Sequence, residues 1–317
     1  MTQKRSAGLW LAAAFVSASA GTHATPATAG LRWPTALPEA GRARASVQEV
    51  VVLAVPRSSR VRIPGGAFNM GSSPIEMQLA ANACQNEILR DRCPQITHHF
   101  RAEGQLHEVE VSPYDLDRME VTVEDYARCV SAGSCPEPGF SRMDARFARP
   151  RLPVTHVSFA AARGYCGFVG GRLPTEAEFE LAARGPEGRR YPWGRLWNPH
   201  LSNHGAFAAD STDGRDGFIG LAEVGSFPDG ATPQGILDLA GNVAEWVSDF
   251  YELTEEGYGY SGAKAIDPTG PKTGAHHVVR GGSYRDPPPF QRGASRMPSY
   301  LTESAEIGFR CAYSARK

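Results

Sequence analysis

Alternation of apolar and polar residues predicts several short strands along this chain. Residues 107–111 read H-E-V-E-V, a pattern that places one face in a core and the other in water. Residues 61–72 alternate and then reach a glycine pair, which is typical of a strand followed by a hairpin. Apolar runs at 50–55, 241–247, 277–280 and 307–312 predict further strands.

Three helices are predicted from their N-terminal caps. Thr122 opens a helix that runs to about residue 130, and Ser158 opens another that runs to about residue 169. Thr175 and Glu178 form a capping box whose helix ends near residue 185. The remainder is rich in turns, with 34 Gly and 24 Pro. We therefore expect one α+β domain over residues 57–317, with short strands, a few short helices and long loops.

The N-terminal residues predict export. Lys4 and Arg5 precede a short apolar run at 8–16, and A-S-A at 18–20 offers a cleavage site. Residues 1–20 are thus interpreted as a signal peptide, and 21–56 as a flexible linker with a lead-in strand. The apolar run is too short to remain as a membrane span. We expect a periplasmic or secreted protein without a membrane span after signal cleavage.

Charge makes nucleic acid a poor partner, since 33 basic residues nearly balance 34 acidic ones and form no basic stripe. In an exported chain, six cysteines favour disulfides. Spacing favours the local pairs Cys84–Cys93 and Cys129–Cys135, which leaves one long-range pair, Cys166–Cys311. Other pairings among the fifteen possible ones remain open.

Residues 278–290 predict a buried strand, a glycine turn and then a stiff proline segment. Their sequence is V-V-R-G-G-S-Y-R-D-P-P-P-F. Such a backbone displays the residues between the glycines and the prolines in a fixed arrangement, so it suits the floor of a site. A plain sharp corner is the alternative interpretation.

Two acidic, glycine-rich loops supply the hard oxygen atoms that calcium prefers. One loop contains Asn203, His204 and Asp216, and the other contains Asp238 and Glu245. Each pattern alone is common on protein surfaces, whereas both together in an exported chain favour calcium.

Ordered motifs along most of residues 57–317 resemble the formylglycine-generating enzyme (sulfatase-modifying factor) family. They are residues 62–72, E-V-T at 120–122, P-V at 153–154, G-R-L-P-T-E-A-E at 171–178, Y-P-W-G at 191–194, G-N-V-A-E-W at 241–246, R-G-G-S at 280–283 and G-F-R-C at 308–311. The resemblance implies a loop-rich variant of the C-type-lectin fold. It also implies the long-range disulfide Cys166–Cys311.

The resemblance further implies two structural calcium sites. The first would use the side chains of Asn203 and Asp216 and the carbonyls of His204 and Phe218. The second would use the side chains of Asp238 and Glu245 and the carbonyls of Gly241 and Val243. A second family disulfide lacks both partners here, with Ala183 at one of the two positions.

The family's copper-binding cysteines do not carry over. They would stand at 286 and 291, where this chain has Asp286 and Gln291. Soft thiolates bind Cu(I), whereas a carboxylate and an amide do not replace them. Copper and the oxidation of cysteine to formylglycine in a sulfatase-type C-x-P-x-R peptide are therefore not expected.

Two functions follow as hypotheses. The first is an exported, calcium-stabilised pseudoenzyme that acts as a binding or accessory module for an unidentified protein, peptide or small molecule. The second is a divergent periplasmic oxidoreductase or maturation enzyme, since the family includes members without the cysteine pair that are implicated in siderophore maturation. The candidate pocket comprises Ser283, Arg285, Asp286, Arg292 and Arg296. In the plainer interpretation, Asp286 only caps the turn.

Overall fold

The computed structural model describes residues 59–86, 93–142, 144–205 and 214–315. The predicted signal peptide, the linker and the strand at 50–55 lie outside these residues. The helices are α1 Pro74–Asn86, α2 Cys93–Ala102, α3 Val123–Ser131, α4 Phe159–Phe168 and α5 Glu176–Arg184. The strands are β1 Arg60–Ile63, β2 Gly66–Met70, β3 His107–Val111, β4 Tyr114–Asp117, β5 Ala244–Tyr251, β6 Ala265–Ile266, β7 His276–Arg280, β8 Arg296–Pro298, β9 Ile307–Gly308 and β10 Ala312–Ser314.

The capped helices α3, α4 and α5 confirm the local predictions. The hydroxyls of Thr122, Ser158 and Thr175 each accept a backbone N–H from the first turn of their helix. The capping box at Thr175 is complete, because the Glu178 carboxylate accepts the Thr175 N–H at 2.8 Å. These helices therefore begin at the residues that their caps indicate.

Three small sheets form the strand framework. Their strand orders are β1-β4-β10, β2-β3-β6 and β8-β7-β5-β9. The hairpin predicted for residues 61–72 is wrong, because β1 pairs with β4 whereas β2 pairs with β3. The glycine at 65 has a φ of 74°, and a Cβ there would collide with the Val111 carbonyl oxygen. The chain thus crosses from one sheet to another at this point rather than folding back on itself.

An insertion at 73–103 forms two helices that pack behind the proline segment. The disulfide Cys84–Cys93 links α1 to the start of α2. Both cysteines pack with Phe100 and Phe290, whose ring centroids lie 5.0 Å apart. The insertion therefore packs against the proline segment at Phe290.

The other two disulfides of the structure are Cys129–Cys135 and Cys166–Cys311, so all three predicted pairs are present. Cys166–Cys311 joins α4 to the C-terminal strands within the largest apolar core. A second core lies between α5 and the sheets that contain β2, β5 and β7. Among the described residues, no helix combines the length and the apolar character needed to span a membrane.

Candidate functional site

The glycine turn after β7 is held by the two loops that carry the predicted oxygen ligands. Gly281 and Gly282 have φ of 88° and 70°, the left-handed region that favours glycine. The Gly241 N–H donates to the Gly281 carbonyl at 3.0 Å, and the Gly205 N–H donates to the Asp286 carbonyl at 3.1 Å. The predicted glycine turn is therefore present, and backbone hydrogen bonds from both loops hold it.

Asp286 caps this turn. Its Oδ2 accepts the Ser283 N–H at 2.8 Å and the Ser283 hydroxyl at 2.9 Å. Burial raises the pKa of Asp286 to about 6, although the hydrogen bonds from Ser283 oppose this shift. The capping role considered in the sequence interpretation is present, and the carboxyl also titrates near neutral pH.

Gln291 connects the glycine turn to the loop that contains Ser202 and Asn203. Its Oε1 accepts the Ser202 hydroxyl at 2.8 Å, and its Nε2 lies 3.2–3.4 Å from the carbonyls of Asn203, Ser283 and Asp286. Gln291 is fully buried. The amide nitrogen thus holds backbone carbonyls and the amide oxygen holds the Ser202 side chain, so both polar atoms of Gln291 are engaged within the protein.

A cavity of about 170 Å³ opens above the floor. We call it the floor cavity. Asp286 and Ser283 line it, together with further serines, apolar side chains and one glutamate: Ser295, Ser299, Ser304, Ala244, Val279, Phe290, Met297, Ile307 and Glu306. Tyr300 and Leu301 also line it and are exposed, with 67% and 60% of their surface accessible. Its volume is below the range typical of drug-sized ligands, so it fits one small group such as an amino-acid side chain.

Three of the candidate pocket residues do not line the floor cavity, which corrects the sequence prediction. Arg292 forms a buried bidentate pair with Glu103, at 2.6 and 2.7 Å. Arg296 forms another with Glu176, at 2.7 and 3.0 Å. Buried guanidinium groups require such partners, so neither is available for an anionic ligand.

Arg285 is the third of these residues. It pairs with Glu306 at 2.9 Å and borders a neighbouring cavity of about 410 Å³. The three arginines of the candidate pocket are therefore not assembled around one cavity. What remains of the candidate pocket is Ser283 and Asp286.

The residues present do not fit copper. All six cysteines of the chain are paired in disulfides, and the structure holds no free cysteine. The two positions where the resemblance expects catalytic thiolates do meet in space, because the Gln291 amide contacts the Asp286 carbonyl. Positions 286 and 291 thus bring together a carboxyl that caps the turn and an amide that holds it, and neither group is a soft ligand for Cu(I).

The second predicted calcium set fits a divalent cation. Asp238 and Glu245 are buried with Glu120, whose pKa is raised first by burial and then by the charge of Asp238. Arg310 is bound to both oxygens of Glu245 at 2.7 Å. One buried guanidinium thus faces three carboxyl groups, and burial raises the pKa of each of the three.

One unpartnered carboxylate oxygen in this cluster supports the fit. Oε2 of Glu120 is buried and has no hydrogen-bond partner. In the part of the chain that the structure describes, the carbonyls of Gly241 and Val243 accept no backbone hydrogen bond outside the regular strands. A cation would satisfy these oxygens and the surplus negative charge, and calcium prefers such ligands. Glu120 was missed as part of this cluster, since its E-V-T motif served only to mark the family.

The first predicted set is also brought together. Asp216 accepts the His204 N–H at 2.7 Å and the Phe218 N–H at 2.9 Å. Asn203 donates its amide to the Gly220 carbonyl and to Asn242, which leaves its own side-chain oxygen available. Within residues 59–86, 93–142, 144–205 and 214–315, no group of three or more His, Cys, Asp or Glu side chains is arranged to hold a metal. Carbonyl oxygens would therefore have to complete either site.

Comparison with known proteins identifies the family. Residues 48–315 match the sulfatase-modifying factor enzyme 1-like domain. The chain belongs to the sulfatase-modifying factor family. It is 32% identical to the formylglycine-generating enzyme of Streptomyces coelicolor, over 82% of this chain and 91% of that enzyme. This sulfatase-modifying factor homologue is also 36% identical to the inactive C-alpha-formylglycine-generating enzyme 2 of Bos taurus, over about half of each chain.

The fold of the family member is shared with solved structures. PvdO from Pseudomonas aeruginosa superimposes with a TM-score of 0.61 at 25% identity, over 81% of this chain and 94% of that one. The predicted fold class, an α+β, loop-rich relative of the formylglycine-generating enzymes, is therefore confirmed.

Proposed function

We propose that this sulfatase-modifying factor homologue is an exported binding or accessory module, stabilised by calcium, that does not generate formylglycine. The proposal rests mainly on the side chains at 286 and 291. Both polar atoms of Gln291 are bound to other parts of the protein, and Asp286 caps the turn. With every cysteine in a disulfide, no thiolate is available for copper. An inactive relative shows that members of the family need not be active enzymes.

The floor cavity is the binding site in this proposal. It is small, mostly apolar and lined by several hydroxyls, and the exposed Tyr300 and Leu301 form its rim. A neutral side chain of a peptide, or a similar small group, matches that lining. Export is supported by the three disulfides, which persist in oxidising compartments.

The experiment that tests the proposal incubates the purified protein with copper and a C-x-P-x-R peptide and measures the peptide mass. The formylglycine-generating enzyme of Streptomyces coelicolor, assayed in parallel, is the positive control. We expect the aldehyde mass with the control enzyme and no mass change with this protein. Aldehyde formed by this protein would refute the proposal.

One observation favours a second function, that of a divergent enzyme. Asp286 faces the floor cavity with a pKa raised to about 6, close to the value that suits a general base at neutral pH. Such an enzyme would lose activity in Asp286→Asn, and its wild-type rate would fall with an apparent pKa near 6 on the acid side. The exposed Asp229→Asn variant would keep full activity. If both variants are equally active, Asp286 is only a cap.

A further inference from the structure

Several large apolar side chains that remain exposed in this protein converge on one groove. Ile75, Leu79, Leu106 and Leu196 are 73%, 44%, 43% and 81% exposed, and all four line a cavity of about 540 Å³ beside α1. We call this cavity the α1 groove. It shares no lining residue with the floor cavity. Single exposed apolar residues are ordinary, whereas a group of them around one concavity marks an interaction site.

The walls of the α1 groove are held in place from below. The Ser73 hydroxyl accepts the Glu76 N–H at 3.2 Å, and the Glu76 carboxylate accepts the Ser73 N–H at 2.9 Å, so α1 begins with a reciprocal cap. Glu76 also pairs with the buried Arg184 of α5 at 3.0 Å. Ile75, next to Glu76, is therefore presented by a fixed helix.

The opposite wall is fixed as well. Leu196 lies on a loop whose backbone is bound by the indole of Trp193, which donates to the Leu196 carbonyl at 3.0 Å. Trp193 stacks in turn on Tyr191, with the ring planes 5° apart. The most exposed leucine of the groove is thus presented by a braced loop. A preorganised apolar surface loses little entropy when it binds a partner.

The charges of the α1 groove are unbalanced. Its two carboxylates are already paired, Glu76 with Arg184 and Glu187 with Arg189. Arg190 and Arg195 also line the groove, and neither forms an ion pair within the described part of the chain. The groove therefore offers apolar contacts together with two guanidinium groups that have no carboxylate partner.

We propose that the α1 groove binds an acidic, amphipathic segment of a partner protein. Leucine-like side chains three and four residues apart on a helix would contact Ile75 and Leu196, and flanking carboxylates would reach Arg190 and Arg195. The groove is concave, and a concave surface fits a peptide helix better than a flat lipid surface. Two identical copies placed groove to groove would oppose arginine with arginine, so a second copy does not complement it.

A fluorescence anisotropy titration tests this proposal. The probe is a labelled helical peptide of about 18 residues with leucines on one face and glutamates beside them, and its companion has lysine in place of each glutamate. We expect the acidic peptide to bind and the basic one to bind at least about tenfold more weakly. The double variant Ile75→Gln/Leu196→Gln should weaken binding of the acidic peptide by about tenfold or more, since it removes two apolar contacts.

Surface variants supply the controls. Arg190→Gln/Arg195→Gln should weaken binding about three- to tenfold and reduce its dependence on salt. Ile266→Gln changes an apolar residue of similar exposure, 68%, that does not line the groove, so binding should be unchanged. Equal binding of both peptides, no binding, or loss of binding in Ile266→Gln would overturn the proposal. Two other results would also overturn it. One is a dimer in sedimentation that the Ile75→Gln/Leu196→Gln variant abolishes, and the other is binding to phosphatidylglycerol vesicles that the same variant abolishes.

Discussion

Replacing Asp286 by asparagine should stabilise the protein at neutral pH and leave it unchanged in acid. The folded-state pKa of Asp286 is about 6, above the usual value of 3.8, and burial is the main cause. Between these two values the folded protein binds the proton more tightly than the unfolded chain, so the free energy of unfolding falls as pH rises. Asparagine carries no charge at any pH, and its oxygen can still accept the two hydrogen bonds from Ser283.

The magnitude follows from the difference between the two pKa values. A shift from 3.8 to about 6 corresponds to at most about 3 kcal/mol by linkage. The carboxyl is enclosed by protein, but Asp286 as a residue is only partly buried because it opens onto the floor cavity. Water in that cavity would screen the charge, so we expect about 1–2 kcal/mol.

The assay is urea unfolding of Asp286→Asn and wild type, disulfides intact, near pH 3, below the unfolded pKa of 3.8, and near pH 7.5. Burial also raises the pKa of Asp117 and Asp249 to about 7, and both contribute equally to the two proteins. The difference between them therefore isolates Asp286, and Asp229→Asn serves as an exposed control. The reasoning is refuted if the difference is the same at both pH values, or if the asparagine variant is less stable near pH 7.5.

Three further predictions concern stability. Calcium at about a hundredfold excess over its dissociation constant should raise the free energy of unfolding by about 2.7 kcal/mol, and EGTA should reverse this increase. An unchanged melting temperature would contradict the calcium proposal. Arg292→Met leaves the buried Glu103 without its partner and should cost about 3–5 kcal/mol in urea unfolding, whereas the exposed Arg128→Met should cost less than about 1 kcal/mol. Replacing Cys166 and Cys311 by alanine removes a link across 145 residues, and the chain-entropy model then gives a loss of about 5 kcal/mol in the free energy of unfolding. Calorimetry measures this loss, and a value below about 1 kcal/mol would show that the model fails here.

Local features of the fold were predictable because their causes lie within a few residues. The caps at Thr122, Ser158 and Thr175 satisfy backbone donors three residues away, so short sequence windows contain the information. The turn at the glycine pair 281–282 was likewise predictable, because glycine itself permits the left-handed backbone that the turn adopts. The same locality explains the strand at 107–111, whose apolar and polar residues alternate across the sheet surface.

The buried ion pairs were not predictable in this way. Arg292 and Glu103 are 189 residues apart, and Arg280 reaches Glu176 and Glu180 from about a hundred residues away. In sequence, Glu176 and Glu180 resemble the exposed side of a short helix. Only the packing of α5 against β7 makes them partners of buried guanidinium groups. Sequence alone therefore places Arg296 in a pocket, whereas in the structure it is bound to the buried Glu176.

The side chains at 286 and 291 determine what the floor of the site can do. A thiol contributes little hydrogen bonding, whereas Asp286 and Gln291 together engage the Ser202–Asn203 loop, the glycine turn and the start of the proline segment. Residues of the same loop and of the neighbouring 238–245 loop form the proposed calcium sites, so the floor and those sites are mechanically joined. A ligand in the floor cavity would therefore meet a surface that is already rigid, and calcium would act on affinity by preserving that rigidity.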